Sequence, residues 1–372
     1  MAKGYLKQYL LKKGTARGTP VSGTFELTAR CNLSCKMCYI HAQTDDMEKR
    51  SHELSAQKWL QLGRQAVDMG MIYLLLTGGE PMLRADFAEI YEGMAKMGVI
   101  LSVNTNGTYL TQDLLDLFVK YPPEKINISL YGMSGEKYGS LCRNAAGYDR
   151  AIRNILLLKN AGVTVNLNTT FTRENVEDME KIVEFAKKES IPVRTASYLF
   201  PPVRGGEGDR DIFLSPEEQG EAAAKFDWLT LESEKLHGRA TMIREALRGN
   251  SPAQAIESRA AACTAGRGSF WITWDGKMSP CGMINSNEDV TGQSFSQAWA
   301  NTQENIRQYL LPQDCLGCNY KAICPSCVAV FADEDENAGV LLENMCRRTK
   351  AYAAKLQDYA LRTLNCMEND AE

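Results

Sequence analysis

The chain has no long apolar run. Its longest fully apolar stretches, such as Met71 to Leu76, are far too short to span a bilayer. No sign of charge dominates either: 42 Lys and Arg stand against 46 Asp and Glu, a net of −4. That balance argues against a general nucleic-acid surface and against an anionic-membrane anchor. The first segment, MAKGYLKQYLLKKG, is basic and amphipathic but lacks a continuous apolar core and an A-x-A site, so it reads as a surface helix and not as a signal peptide. Histidine is scarce: His41, His52 and His237 are the only three, and none is assigned as a general base. His41, three residues past Cys38, reads most simply as a solvated loop residue. There is no internal repeat and no low-complexity tract.

Cysteine, by contrast, is abundant: 12 in 372 residues, a length sufficient for two domains. Without an export signal these thiols are not expected to form a disulfide framework; they point to metal in a reducing cytoplasm. Cys31, Cys35 and Cys38 form one short run, CNLSCKMC, directly after a strand-like segment from Val21 to Ala29. A closed structural zinc site wants four ligands, and this loop offers three. Three soft thiolates suit an iron–sulfur cubane with one iron left open.

From Val21 to about Leu199, short β-rich runs alternate with helical periods. Strands are expected at Gly23–Ala29, Met71–Thr77, Ile100–Asn104, Lys125–Leu130, Thr164–Thr170 and Val193–Tyr198. Helices are expected at Ala56–Met69, Asp86–Met97, Thr111–Val119, Tyr148–Ala161 and Val176–Glu189. Alternation of this kind predicts an α/β fold with a parallel βα array, here a partial (β/α)6 barrel that is open because it has fewer than eight units. Ligands in such folds sit at the C-terminal ends of the strands. Pro201-Pro202 and Gly205-Gly206 mark the end of the barrel, and a helical connector follows over Pro216 to Arg248. A closing helix is expected over Leu341 to Leu364.

Every motif falls at a strand end. Gly78-Gly79-Glu80-Pro81 follows the second strand, Ser102-Val-Asn104-Thr-Asn106-Gly107 ends the third, Ser129 ends the fourth, and Arg143 lies fourteen residues later. The cysteine triad followed by GGEP resembles the radical S-adenosylmethionine (SAM) enzymes. The resemblance implies a 4Fe–4S cluster on Cys31, Cys35 and Cys38, and SAM held by Gly78, Gly79 and Glu80 at its amino group. The short polar side chains of Ser102, Asn104 and Asn106 are suited to bond ribose hydroxyls, and the resemblance implies Ser129 and Arg143 at the carboxylate. Asn168 and Thr170 are further pocket candidates. Met37 stands where the family usually has an aromatic, so adenine packing is expected to differ.

The C-terminal cysteines run Cys263, Gly276-x4-Cys281, Cys315-x2-Cys318-x5-Cys324-x2-Cys327 and Cys346. They resemble the SPASM domain of peptide and sulfatase maturases, with a slightly short spacing at Cys324–Cys327. By that resemblance Cys315, Cys318, Cys324 and Cys346 hold one auxiliary 4Fe–4S cluster, and Cys263, Cys281 and Cys327 hold a second. The second set has three thiolates, so an open iron or a non-cysteine ligand is expected, with Cys366 in the tail as a further candidate. Cys142 reads as a buried apolar thiol. The organisation implied is an N-terminal segment (1–20), a radical SAM barrel (21–210), a helical connector (211–262), a SPASM domain (263–350) and a C-terminal helix (351–372).

Radical SAM/SPASM enzymes mostly modify ribosomally made peptides. The implied activity is reductive SAM cleavage to a 5′-deoxyadenosyl radical, then hydrogen abstraction from a peptide. The implied partners are a peptide and an electron donor such as ferredoxin or flavodoxin. Only about 22 residues precede the first strand, so a leader peptide would need the barrel cleft or a separate leader-binding protein. Sulfatase maturases carry an Asp after the G-x4-C cysteine; here it is Gly282, which disfavours that activity. Two alternatives remain open: a radical SAM/SPASM enzyme acting on a small molecule, and a non-catalytic zinc or iron–sulfur scaffold. Tyr131 and Tyr198 are read as core or pocket aromatics, and Asp333–Glu336 as a solvated loop.

Overall fold

The computed structural model describes residues 2–40, 42–196, 199, 203, 209–249, 263–286, 288–330 and 338–369. His41, Tyr198, the segments Pro201–Pro202 and Gly205–Gly206, and the acidic run Asp333–Glu336 lie outside the described residues.

All six expected barrel strands form, within three residues of their expected ends. They are β1 (Ser22–Glu26), β4 (Tyr73–Thr77), β5 (Ile100–Thr105), β6 (Lys125–Ser129), β7 (Val165–Thr170) and β8 (Val193–Ala196), with β2 (Arg30–Cys31) and β3 (Ala42–Gln43) as a separate short parallel pair. Neighbouring barrel strands pair in parallel in the order β1-β4-β5-β6-β7-β8. The helices between them are α2 (Met47–His52), α3 (Ala56–Asp68), α4 (Phe87–Lys96), α5 (Gln112–Lys120), α6 (Gly135–Cys142), α7 (Gly147–Asn160) and α8 (Met179–Lys188). Short polar side chains start several of them: Ser55, Thr111 and Ser134 accept from backbone N–H groups in the first turns of α3, α5 and α6.

Strand alternation divides the residues between two faces. Phe25, Leu74, Leu76, Leu101, Val103, Ile126, Ile128 and Leu167 point outward and are buried against the helices, with Trp59 of α3 seated 4.7 Å from the Phe25 ring. The opposite face is inward and mostly polar from β5 to β7, where it carries Ser102, Asn104, Asn127, Ser129, Asn166 and Asn168.

The sheet does not end at β1. β9 (Ser269–Ile272) pairs parallel with β1, and β10 (Lys277–Ser279) and β11 (Glu288–Asp289) extend the sheet antiparallel beyond it, giving nine strands in all. The C-terminal cysteine region, expected as a separate small domain, therefore shares the barrel's sheet. Phe270 of β9 packs 6.3 Å from Phe25 and 5.0 Å from Phe295 of α11 (Phe295–Arg307), joining the two cores. The connector is two helices, α9 (Pro216–Thr230) and α10 (Ser233–Leu247), packed on α12 (Ala338–Asn369) around Ala224, Ile243 and Leu356. α12 is one helix across the boundary expected at 350. α1 (Ala2–Arg17) is a surface helix, as expected, with Tyr5 74 % exposed. It is tied to the barrel by the Lys7–Glu124 ion pair at 2.6 Å. No helix among the described residues is long and apolar enough to cross a membrane.

A shared sheet and a joined core predict one unfolding unit for the barrel and the cysteine-rich region. Urea transitions followed by far-UV circular dichroism and by tryptophan fluorescence should coincide. Phe25→Ala should lower both by about 3–5 kcal/mol. Two separated transitions would contradict the continuity of the sheet.

Candidate active site

The upper end of the barrel is built by the chain leaving β1 and β4 side by side. Leu27 N–H donates to Thr77 O at 2.8 Å, Gly79 N–H to Thr28 O at 2.8 Å and Glu80 N–H to Arg30 O at 2.9 Å. The ladder thus runs on past the strands and brings GGEP against the segment that leads into the cysteine loop. A Cβ on Gly78 would lie 2.4 Å from Thr28 O, and one on Gly79 would lie 2.4 Å from Arg30 O. Gly78 also has φ 149°, in the region that favours glycine. Only two glycines permit this approach.

Glu80 is fully buried and is held by three donors. Thr105 Oγ1 and Asn106 N–H reach its Oε2 at 2.8 Å each, and Met82 N–H reaches Oε1 at 3.2 Å. Burial pushes its carboxyl up to about 7, against the lowering effect of those three bonds. Its side chain therefore joins GGEP to the end of β5. Asn106 plays a similar part: its Nδ2 donates to Asn32 Oδ1 at 2.8 Å and to Cys31 Sγ at 3.5 Å, while its Oδ1 accepts from Thr108.

Beneath the cysteine loop lies a buried ion cluster. Glu53 takes Arg30 at 2.8 and 3.1 Å and Arg84 at 3.3 Å, and accepts from the Thr28 hydroxyl. Arg84 also donates to Leu27 O at 2.8 Å and Leu54 O at 2.9 Å, and pairs with Asp86 at 2.7 Å. From the other side, Ser34 N–H donates to Cys142 O and Lys36 N–H to Leu141 O, at 3.2 and 3.0 Å. The end of α6 thereby docks on the loop. Cys142 is buried, as expected, and touches Cys35 by a side-chain hydrogen bond.

Cys31, Cys35 and Cys38 are all partly exposed, and Cys31 senses the charges of the other two. Burial, then the Glu80 charge, pushes the Cys31 thiol up; the bond to Cys142, then burial, does so for Cys35. Such thiols ionise readily only beside a cationic centre, which iron supplies. The donor set, with Leu33 N–H at 3.4 Å and Asn106 on the Cys31 sulfur, fits a thiolate-held cluster.

The pairing register identifies the inward face of the barrel. Ser102 and Lys125 are partners, as are Asn104, Asn127 and Asn166, and as are Ser129, Asn168 and Arg194. Asn127 Nδ2 donates to Asn104 Oδ1 at 2.8 Å. On β1 the inward residues include the fully buried Glu26, which accepts from Trp271 Nε1 of β9 at 3.0 Å.

At the lower end the chain delivers the other cysteines. Cys263 precedes β9, which is parallel to β1, and Cys281 follows β10, which runs antiparallel back to the same end. Cys263, Cys281, Cys315 and Cys327 pack on one apolar cluster with Ala265, Ile284, Ile306 and Leu311. Cys315 and Cys346 each sense Cys318 and Cys324, and Cys327 senses Cys263. None of the described cysteines is in a disulfide. Among the described residues, no three His, Cys, Asp or Glu side chains converge as ligands of a single metal ion.

The expected SAM residues divide accordingly. Gly78, Gly79, Asn104 and Ser129 stand at or near the upper strand ends, with Ser129 partly exposed. Ser102 lies nearer the lower end, where its Oγ donates to Glu124 at 3.2 Å, and so stands away from the expected ribose position. Glu80 and Asn106 have side chains committed to holding the loops. Arg143 is exposed, directly after Cys142, and caps α6 in the left-handed region at φ 55°. His52 and His237 bond to helix carbonyls, at Glu48 O and at Ser233 O and Ala360 O. Sequence reasoning missed Arg30, Glu53 and Arg84, and missed Glu26 and Trp271. The alternation T-F-E in β1 marks Glu26 as inward; nothing local marks the ion cluster. Gly282 has a structural reason: a Cβ there would lie 2.9 Å from the Trp271 ring.

Residues 25–186 match the model of the Radical SAM superfamily. An AdoMet-dependent heme synthase of Methanosarcina barkeri is 26 % identical over 322 residues, covering 82 % of this chain and 90 % of that one. A PqqA peptide cyclase of Rhizobium meliloti is 25 % identical over 317 residues, covering 82 % and 80 %. Among solved structures, native anSMEcpe with bound AdoMet superposes with a TM-score of 0.68 at 15 % identity, covering 94 % of this chain and 100 % of that chain. Streptococcus suis SuiB bound to S-adenosylmethionine gives 0.62 at 17 %, covering 86 % and 75 %. These likenesses agree with the α/β radical SAM fold.

Two outcomes test the architecture of this end. Glu53→Ala leaves Arg30 and Arg84 buried without their carboxylate and should cost about 3–5 kcal/mol in denaturant unfolding; a loss below about 1 kcal/mol would remove the cluster from its supporting role. Gly79→Ala should lower SAM cleavage on the order of a hundredfold, read as 5′-deoxyadenosine, by shifting the loop about one ångström. Undiminished cleavage would contradict the close approach.

Proposed function

We propose that this chain, whose residues 25–186 match the model of the Radical SAM superfamily, abstracts hydrogen from a peptide and thereby installs a crosslink or another modification. A reduced 4Fe–4S cluster, when bound with SAM, supplies the electron that cleaves SAM and so provides the 5′-deoxyadenosyl radical. Cys31, Cys35 and Cys38 would hold that cluster. The backbone of Gly78 and Gly79, with Asn104, Ser129 and Arg143, would hold SAM. The two lower cysteine sets would hold auxiliary clusters of a SPASM-type region, one on Cys315, Cys318, Cys324 and Cys346, the other on Cys263, Cys281 and Cys327.

The observation that carries the peptide reading is the inward face between the two cysteine ends. Asn104, Asn127, Asn166, Asn168 and Ser129 offer paired donors and acceptors, the complement of an extended peptide backbone. A second reading, a carboxylated tetrapyrrole, is favoured by the heme synthase, which covers as much of this chain as the peptide cyclase does. Gly282 beneath Trp271 leaves no room for a side chain at the place where a sulfatase maturase would carry its Asp.

The test is anaerobic reconstitution, dithionite reduction and mass spectrometry with candidate peptides and with a porphyrin. Iron should reach about twelve per chain if three cubanes assemble. Cys31→Ala should abolish 5′-deoxyadenosine. Cys327→Ala should leave 5′-deoxyadenosine formation in place while product mass is lost. Absence of SAM cleavage in the fully loaded wild type would overturn the catalytic reading. Turnover of the porphyrin and of no peptide would select the second reading.

A further inference from the structure

The inward face of the barrel carries two cations, Lys125 and Arg194, that have no ion-pair partner among the described residues. Lys125 opens β6 and Arg194 is the second residue of β8, so both stand near the starts of their strands. The register puts both on the inward face, because Lys125 and Ser129 share the face of β6 and Ser129, Asn168 and Arg194 are in register. Lys125 is partly buried and Arg194 is exposed. Among the described residues neither makes a hydrogen bond or an ion pair through its side chain.

Glu124, the acid whose charge reaches Lys125, is already engaged. Glu124 binds Lys7 of α1 at 2.6 Å and accepts from Ser102 at 3.2 Å. Glu124 therefore serves both Lys7 and Lys125. The Lys125 ammonium is held below its usual range by burial first and by the Arg194 charge second. Asn168, on the strand between the two cations, has a side chain without a hydrogen-bond partner among the described residues. Two like charges near enough for one to depress the other, with an unused amide on the strand between them, cost the apo fold energy that an anion would return.

We propose that Lys125, Arg194 and Asn168 form a carboxylate-binding subsite, so that the substrate carries a carboxylate that anchors it below the atom to be attacked. The inference rests on the lumen being the substrate site. Arg194 offers a planar fork to one carboxylate, Lys125 a point charge, and Asn168 a donor amide. The carboxylate has two possible sources, an acidic side chain of a peptide or a propionate of a tetrapyrrole.

The experiment uses the anaerobically reconstituted holoenzyme with SAM. Probes are acetyl-Ala-Glu-Glu-Ala-amide against its Gln-Gln counterpart, and coproporphyrin III against its tetramethyl ester, with binding read by titration calorimetry. At least one acid form should bind about tenfold or more tightly than its neutral partner, and its affinity should fall with added KCl. Lys125→Gln and Arg194→Gln should each weaken that acid form about tenfold, and the double variant should bind acid and neutral forms alike. Substrate-free 5′-deoxyadenosine formation should stay at the wild-type rate in all three variants. Equal binding of acid and neutral forms by the wild type would overturn the subsite, as would full affinity in a double variant that keeps its circular dichroism and cluster absorbance. Loss of SAM cleavage in the wild type would instead fault the radical SAM reading and leave the binding comparison standing.

Discussion

The upper end of the barrel depends on one backbone approach, that of Gly78 and Gly79 to the chain at Thr28 to Arg30. Because carbonyl oxygens lie 2.4 Å from where the Cβ atoms would be, the two strand exits close into a single ridge. The cysteine loop begins one residue beyond that ridge. Glu80 then fixes the ridge to β5, and Glu53 fixes its underside through Arg30 and Arg84. The loop that would hold a cluster is therefore a rigid extension of the sheet, held from β5, from α6 and from the segment between α2 and α3. Rigidity of this kind keeps ligands in place without help from the cluster, and positions SAM contacts and cysteines relative to one another.

Much of the barrel was legible in the chain because its strands alternate cleanly. In Lys125-Ile-Asn-Ile-Ser129 the apolar residues meet helices and the polar ones face the lumen, so local pattern and global fold agree. The cysteine spacing and GGEP were legible for the same reason: each is a local requirement. What was not legible is long-range. Glu53 lies 23 residues from Arg30 and 31 from Arg84, with no periodicity to connect them. β9 has only four residues, and nothing in Ser-Phe-Trp-Ile names β1 as its partner. Ser102 and Asn106 were assigned to a ligand from their polarity alone; the fold uses one on Glu124 and the other on Asn32.

Trp271 shows how the two ends of the molecule are coupled. Its indole nitrogen holds Glu26 inside the barrel while its ring covers Gly282 beside Cys281. A single side chain on β9 therefore touches both the end of β1 and the lower cysteine loop.

The pairing of β1 with β9 also has a consequence in time. During synthesis β1 leaves the ribosome among the first elements, yet one of its edges is completed only by residues 269–272. For the interval in which some two-thirds of the chain is being made, that edge offers unpaired amides and carbonyls next to Phe25, the surface that invites wrong pairing. The short run of β1, five residues long, and its early partner β4 limit the hazard but do not remove it. Low yields of soluble protein at fast translation rates are what this strand order leads one to anticipate.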